Sequence, residues 1–297
     1  MKIKIAIIAL LATAVLTAIV GIATSIFRRQ QEPLTLEVDS LPDLAQQPQA
    51  RLLGESRVEP RVLATQGFRT FEADGFSIFA EQIQYPGTNV PKRAPEITGN
   101  SQADERIVHI AESRGYRLRP VAEASMQVKS DGKMLSPLAA TAWHGLKSAA
   151  SEDGIQLGLI SGYRSVDNQR RIFLNLLRIE SQKKLGRTFT SQEIAAGDAD
   201  SIIDRILSES SVPGYSKHHS GYTIDITDVA SGKHFTEFAA TAGFRWISAA
   251  NYQNAKRFGF LPSYPEGADS QGPDPEAWEY VWVGIEPLRD SGQVGKP

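Results

Sequence analysis

From Ile5 to Phe27 the chain carries no charged side chain, and Lys2, Lys4, Arg28 and Arg29 bracket that run. A helix of about 23 residues, rising about 1.5 Å per residue, spans roughly 34 Å, the thickness of a bilayer's hydrocarbon core. Residues 1–29 are therefore expected to form a single N-terminal transmembrane helix, and the remainder must fold beyond it. A cleavable signal is the alternative, with Gly21-Ile22-Ala23 as the cut site, although such signals have a shorter apolar region of about 7–15 residues. Single-span anchors with a large C-terminal domain usually place that domain outside the cytoplasm, at the cell surface or in the periplasm. If the segment is cleaved, the domain is secreted.

The next stretch, residues 30–65, is rich in Gln, Pro and Glu and poor in aromatics, the composition of a flexible linker. No cysteine occurs anywhere, which excludes disulfides, zinc–thiolate sites and thiol catalysis. Four of the 32 basic residues precede Glu32, the first acid, leaving 28 basic against 34 acidic residues beyond it. That acidic excess, without a basic patch, argues against a nucleic-acid partner.

Residues 66–133 hold short apolar clusters such as Phe76-Ser77-Ile78-Phe79 between turn residues and read as a small β-containing lead-in. His109 there, like His144 further on, reads as a helix-face residue. From residue 134 the signals sharpen. Ser136-Pro137 is a cap followed by proline at the first helical turn, with Leu138, Ala142 and Leu146 on one stripe. Ile155, Leu157 and Leu159 alternate as in a strand and run into Ser161-Gly162-Tyr163-Arg164-Ser165. Gln169, Ile172, Phe173 and Leu176 mark another helix. Thr190 and Glu193 form a capping box ahead of a helix carrying Ile202, Ile203 and Ile206. Thr236 is a candidate cap for a short helix, residues 244–260 contain a further one, and 279–283 reads as a final strand. On that strand Trp278, Tyr280 and Trp282 share one face, best read as core. Helices and strands mix without regular alternation, so the class is α+β, a small antiparallel sheet flanked by helices. The C-terminus from about residue 287 reads as a loose tail.

The densest chemistry lies in Ser216-Lys217-His218-His219-Ser220-Gly221-Tyr222-Thr223-Ile224-Asp225. Gly221 permits a sharp bend, so Asp225 on the following strand can point back to a histidine on the loop. A His and a carboxylate suit Zn²⁺. By itself this spacing is as compatible with a polar loop as with a metal site. The stretch resembles the Ser-x-His-x-x-Gly-x-Ala-x-Asp motif of the zinc D-alanyl-D-alanine carboxypeptidases of the vancomycin-resistance type, whose fold is shared with lysostaphin-type peptidases and the hedgehog signalling domain. Ser216, His218, Gly221 and Asp225 match, and Thr223 replaces the usual Ala. Ser-Gly-Tyr-Arg-Ser with Gln169, then residues 254–267, then 276–284 agree in order, so the resemblance covers roughly residues 134–286. It implies one divalent metal, Zn²⁺ in the family, held by His218 and Asp225, and a peptidoglycan peptide as substrate. Glu276 would be the general base that takes the proton of the attacking water. Arg164 would hold the peptide's terminal carboxylate, with Ser216 and Gln169 adding hydrogen bonds to substrate or to Arg164.

The match departs at the third ligand. The family has Glu-x-Trp-His, whereas this chain has Glu276-Ala277-Trp278-Glu279, and no histidine follows His234. In one reading Glu279 takes the ligand position. In a second the register shifts, and His234 or Asp228 completes the set. In a third the metal site is degenerate and the domain only binds peptidoglycan peptides. A cell-wall endopeptidase, and DD- against LD-specificity, stay open at this level, as does a lid within the insertion 182–212.

Overall fold

The computed structural model describes residues 67–71, 73–265 and 270–289, all within one unit, Val58–Pro297. The expected transmembrane helix and the linker lie outside the described residues; among the described helices none is long and apolar enough to cross a membrane.

In chain order the elements are α1 (Ala73–Gln82), β1 (Thr88–Asn89), α2 (Ser101–Ser113), β2 (Val121–Ala122), β3 (Val128–Ser130), β4 (Lys133–Leu135), α3 (Pro137–Glu152), β5 (Leu157–Ser161), α4 (Val166–Leu185), α5 (Ser191–Ala196), α6 (Asp200–Leu207), β6 (Thr223–Asp228), α7 (Ala242–Lys256), β7 (Phe260–Pro262) and β8 (Glu279–Trp282). Strands β1/β2 and β3/β4 form two small antiparallel pairs. The main sheet has the order β5-β6-β8-β7, antiparallel throughout. The class is α+β, as expected.

The helix starts follow from their caps. Ser136, Ser165 and Thr190 each accept a hydrogen bond from a backbone N–H in the first turn of α3, α4 and α5, satisfying donors that would otherwise be orphaned. Thr190 and Glu193 complete the capping box. However, α5 ends at once on Gly197, in the left-handed conformation (φ +95°), and the apolar stripe Ile202, Ile203, Ile206 belongs to the separate helix α6. The expected helix after Thr236 is a 3₁₀ segment, Phe235–Ala240, without a side-chain cap. Thr241 caps α7 instead.

The stripe anticipated on α3 is rotated. Leu138 is 46% exposed, while Ala139, Ala140, Trp143, Leu146, Ala149 and Ala150 are buried. The bulky Trp143, fully enclosed, decides which face turns inward. It packs with Leu157, Ile224, Ile226, Trp246, Phe260 and Tyr280 in the core on one side of the sheet, and its indole N–H donates to Asp131 Oδ2 at 2.9 Å. Trp278 and Trp282 pack against this core too. Replacing Trp143 with Ala is expected to cost about 3–5 kcal/mol, measured by denaturant unfolding, because lost burial and a cavity add to one another.

The segment 66–133 is more helical than its composition suggested. The cluster at Phe76–Phe79 lies on α1 rather than in a β lead-in. Phe76 and Phe79 bury against Leu261, Val283 and Leu288. Helix α2 contributes Ala103, Ile107 and Ala111 to another core, shared with Phe173 and Leu177 of α4 and the α6 isoleucines. The packing partners of these helices are remote in sequence, and the segment also carries the expected strands, β1, β2 and β3. Leu288 is fully buried and Phe68 bridges Arg289, so residues 287–289 of the expected tail belong to the fold, and the rest of it lies outside the described residues.

Candidate metal centre

Strand register builds the centre. On β6, Ile224 and Ile226 face the core, which turns Thr223 and Asp225 to the other side of the sheet. The neighbouring strand β8 pairs in the register Ile224↔Tyr280 and Asp225↔Glu279. Two carboxylates thus stand directly opposite on central strands, 8% and 4% exposed. Like charges so placed repel, the more so when buried, unless a positive group lies between them.

His218 supplies part of that charge. It lies on a 3₁₀ turn, Lys217–Ser220, capped at its start by Ser216, whose hydroxyl accepts from the His218 N–H, and ended by Gly221 at φ +76°. A β-carbon at Gly221 would strain this left-handed backbone and meet the Gln127 carboxamide. Thr223, fully buried, donates its hydroxyl to the Lys217 carbonyl and ties the turn to β6. The His218 ring N–H, Nδ1, donates to the Gly162 carbonyl at 2.8 Å, which turns Nε2 inward. Nε2 lies 3.3 Å from Asp225 Oδ2 and 3.4 Å from Glu279 Oε2. One donor atom from each of His218, Asp225 and Glu279 falls within 4.8 Å of the other two.

The electrostatics match this crowding. Burial alone would lower the His218 pKa, but the two carboxylates outweigh it and hold the value near 10. Burial, reinforced by Glu279 and Asp225, pushes Glu276 up to about 9. Burial would also raise Glu279, yet Lys217 and His218 hold it well below the usual carboxylate range. The set attracts one compact positive charge, whether a proton or a cation. Asp225 Oδ1 is buried without a hydrogen-bond partner, and the donors are oxygen and imidazole nitrogen, so the residues fit a divalent cation such as Zn²⁺.

These groups sit in a cleft of about 470 Å³ whose lining includes Arg164, Ser216, Glu276 and Trp278. Arg164 follows the bulged end of β5. Its guanidinium donates to Gln169 Oε1 at 2.8 Å and to Ser161 Oγ at 3.3 Å. Gln169 is fully buried and donates in turn to Ser210 Oγ and the Ser211 carbonyl, so it aims Arg164 rather than reaching the cleft. Ser210 and Ser211, at the end of the insertion 182–212, do line the cleft.

The remaining candidates are engaged elsewhere. Asp228, at the far end of β6, accepts from the Gly243 N–H at the start of α7. His234 is exposed and bonded to Thr236. His219 points away from the centre, accepting from the Gly214 N–H and donating to the Arg164 carbonyl. His109 and His144 are exposed on helices. Sequence reasoning passed over Lys217, whose ammonium lies 3.3 Å from Glu279 Oε1, donates to the Ser263 carbonyl at 3.2 Å and stands 3.5 Å from the Tyr264 ring centroid. No sequence signal could have found it, since a lysine beside a histidine in a polar loop reads as solvated.

Fold and cleft together define a class: an α+β domain with one imidazole and two carboxylates converging between paired central strands, a layout suited to a metal-dependent hydrolase. The family model for VanY, D-alanyl-D-alanine carboxypeptidase, matches residues 132–285, just over half of the chain. The chain belongs to this family.

Among curated relatives, YodJ of Bacillus subtilis (strain 168), which carries a provisional carboxypeptidase name, is 29% identical over 167 residues, 56% of this chain and 52% of YodJ. A D-alanyl-D-alanine carboxypeptidase of Enterococcus faecalis (strain ATCC 700802 / V583) is 28% identical over 205 residues, 67% of this chain and 69% of that protein. The chain thus spans about half the length of the first and two thirds of the second. Similar solved structures include VanYB in complex with D-alanine-D-alanine, at 28% identity over 53% of this chain and 76% of that one, with a TM-score of 0.39. Another is a mutant of the vancomycin-resistance D,D-pentapeptidase VanY in complex with Zn(II), at 26% identity over 58% and 87%, with a TM-score of 0.40.

Proposed function

We propose that the chain is a metal-dependent carboxypeptidase that removes the C-terminal residue of peptidoglycan stem peptides, with peptides ending in D-Ala-D-Ala as substrate. The observation that carries this reading is the convergence of His218, Asp225 and Glu279 in a cleft that also presents a carboxyl group and a guanidinium. His218 Nε2, an Asp225 oxygen and Glu279 Oε2 would hold the cation, with Glu279 in the position that the family motif gives to a histidine. When bound, the divalent cation supplies Lewis-acid polarisation and acidifies a water held beside it. Glu276 accepts the proton of the attacking water and returns it to the leaving amine. Burial and neighbouring carboxylates raise its affinity for a proton, and a bound cation would offset that rise and leave the carboxylate free to accept one.

Arg164, held by Gln169, would pair with the terminal carboxylate of the peptide and so select the bond next to the C-terminus for hydrolysis. Ser216 supports it indirectly by capping the turn that carries His218. Replacing Arg164 with Ala is expected to weaken kcat/KM about ten- to a hundredfold for peptides with a free C-terminus, the loss of a hydrogen-bonded charge pair. An amidated peptide should lose nothing further. An equal loss on both substrates would assign Arg164 a structural role.

The membrane reading of Ile5–Phe27 belongs to the same proposal: the segment anchors the domain outside the cytoplasm, where peptidoglycan lies. The deciding test is to incubate the purified chain with D-Ala-D-Ala and D-Ala-L-Ala stem peptides, with Zn²⁺ or Mn²⁺, and to assay free alanine and bound metal together. Release of D-alanine with one equivalent of metal supports the proposal. Peptide binding without metal or release would leave the binding module instead.

A further inference from the structure

We infer that Lys217 is a positioning residue that makes Glu279 act as a single-oxygen ligand, as a histidine would be. The inference rests on the metallopeptidase reading above and concerns how this chain accommodates a second carboxylate. A carboxylate differs from an imidazole in two ways: it carries a negative charge, and it has two donor atoms that can grip a cation together. Both differences are met by one side chain.

The Lys217 ammonium lies 3.3 Å from Glu279 Oε1, an ion pair that leaves this buried oxygen without a hydrogen bond, while Oε2 faces Nε2 of His218 at 3.4 Å. One oxygen is therefore turned to the lysine and the other to the centre. The ammonium offsets the Glu279 charge, so that Asp225 alone contributes net negative charge. Lys217 is itself fixed on three sides, by the Ser263 carbonyl at 3.2 Å, by the face of Tyr264 and by the carboxylate. Its side chain is only 13% exposed. The two elements are also coupled through the backbone, because Ser263 N–H donates to the Glu279 carbonyl at 3.0 Å. A desolvated ammonium next to a cation site is unfavourable unless it answers a nearby anion, and Glu279 is that anion.

The consequence concerns cation choice. Without Lys217 the centre gains one unit of negative charge and a free oxygen, and hard cations that collect oxygen ligands benefit most. Structural damage would weaken binding instead, so the sign of the effect distinguishes the two. Mn²⁺ binding to the chelator-treated full chain is the measurement, by calorimetric titration of wild type, Lys217→Met, Glu279→His and the double variant, with Lys217→Gln as a second probe should the Met variant fail to fold. Mn²⁺ is expected to bind at least about tenfold more tightly to Lys217→Met than to wild type, by the Coulomb energy of one nearby charge. With His at 279 the gain from losing Lys217 should be at least about three times smaller, because no second oxygen is released. Unchanged or weaker Mn²⁺ binding in both Lys217 variants, or an equal gain in both backgrounds, overturns the assignment of Lys217. A wild-type chain that binds neither Zn²⁺ nor Mn²⁺ defeats the metallopeptidase reading itself.

Discussion

Replacing Glu276 with Gln is expected to leave metal content unchanged while slowing release of D-alanine by about 10²–10⁴-fold, the usual contribution of a positioned proton acceptor. The expectation rests on where the turn before β8 puts this residue. The Glu279 N–H donates to the Glu276 carbonyl at 3.2 Å, so the chain turns tightly into the strand and leaves the Glu276 side chain in the cleft. Glu276 is not among the three residues whose donor atoms converge. Burial and two neighbouring carboxylates raise its pKa to about 9, whereas Glu279, three residues on, is driven the opposite way. Two acids so close in sequence are given different tasks by their surroundings. Glutamine keeps the shape and removes the proton acceptor. A Gln variant that turns over like wild type would remove Glu276 from the chemistry, and one that loses its metal would make it a ligand instead.

The second large effect is at His218. His218→Ala should abolish both bound metal, by elemental analysis, and peptide hydrolysis, since the remaining donors are two opposed carboxylates. It should also change the pH dependence of stability in chelator-treated protein. In the fold His218 titrates near 10, against an ordinary value near 6.5 in the unfolded chain. The raised folded value means that its stabilisation is complete below about 6.5 and is lost as the pH climbs through 10. Denaturant midpoints measured across that window should fall for wild type and stay flatter for His218→Ala. A wild-type profile as flat as that of the variant would show that the carboxylates do not hold a proton on this imidazole.

Much of the domain was legible from residues alone because its signals are local. A cap, a proline at a first helical turn, an alternating strand and a glycine bend each act over a few residues, and Ser136, Thr190 and Gly221 do what such residues do. His218 and Asp225 are seven residues apart on a turn and the strand it feeds, so their meeting could be anticipated. Where local pattern failed, a distant partner had decided the outcome. Leu138 fits an apolar stripe, yet Trp143 needs the core and rotates α3 to reach it. The cluster at Phe76 gave no clear local pattern, and it lies on a helix whose partners, Leu261 and Val283, come almost two hundred residues later.

The centre divides along the same line. The amino-acid order by itself determined which chemistry was possible: no thiol, a histidine and an aspartate within reach of one another, and two glutamates, Glu276 and Glu279, ahead of a final strand. Only the tertiary structure decided that Glu279 rather than His234 or Asp228 stands opposite Asp225, because that depends on the register between β6 and β8. It likewise brought Lys217 to the outer oxygen of that carboxylate. Side-chain chemistry is carried by the residue, but a charge acquires its neighbours, and with them its proton affinity and its fitness to hold a cation, only when strands remote in sequence pair.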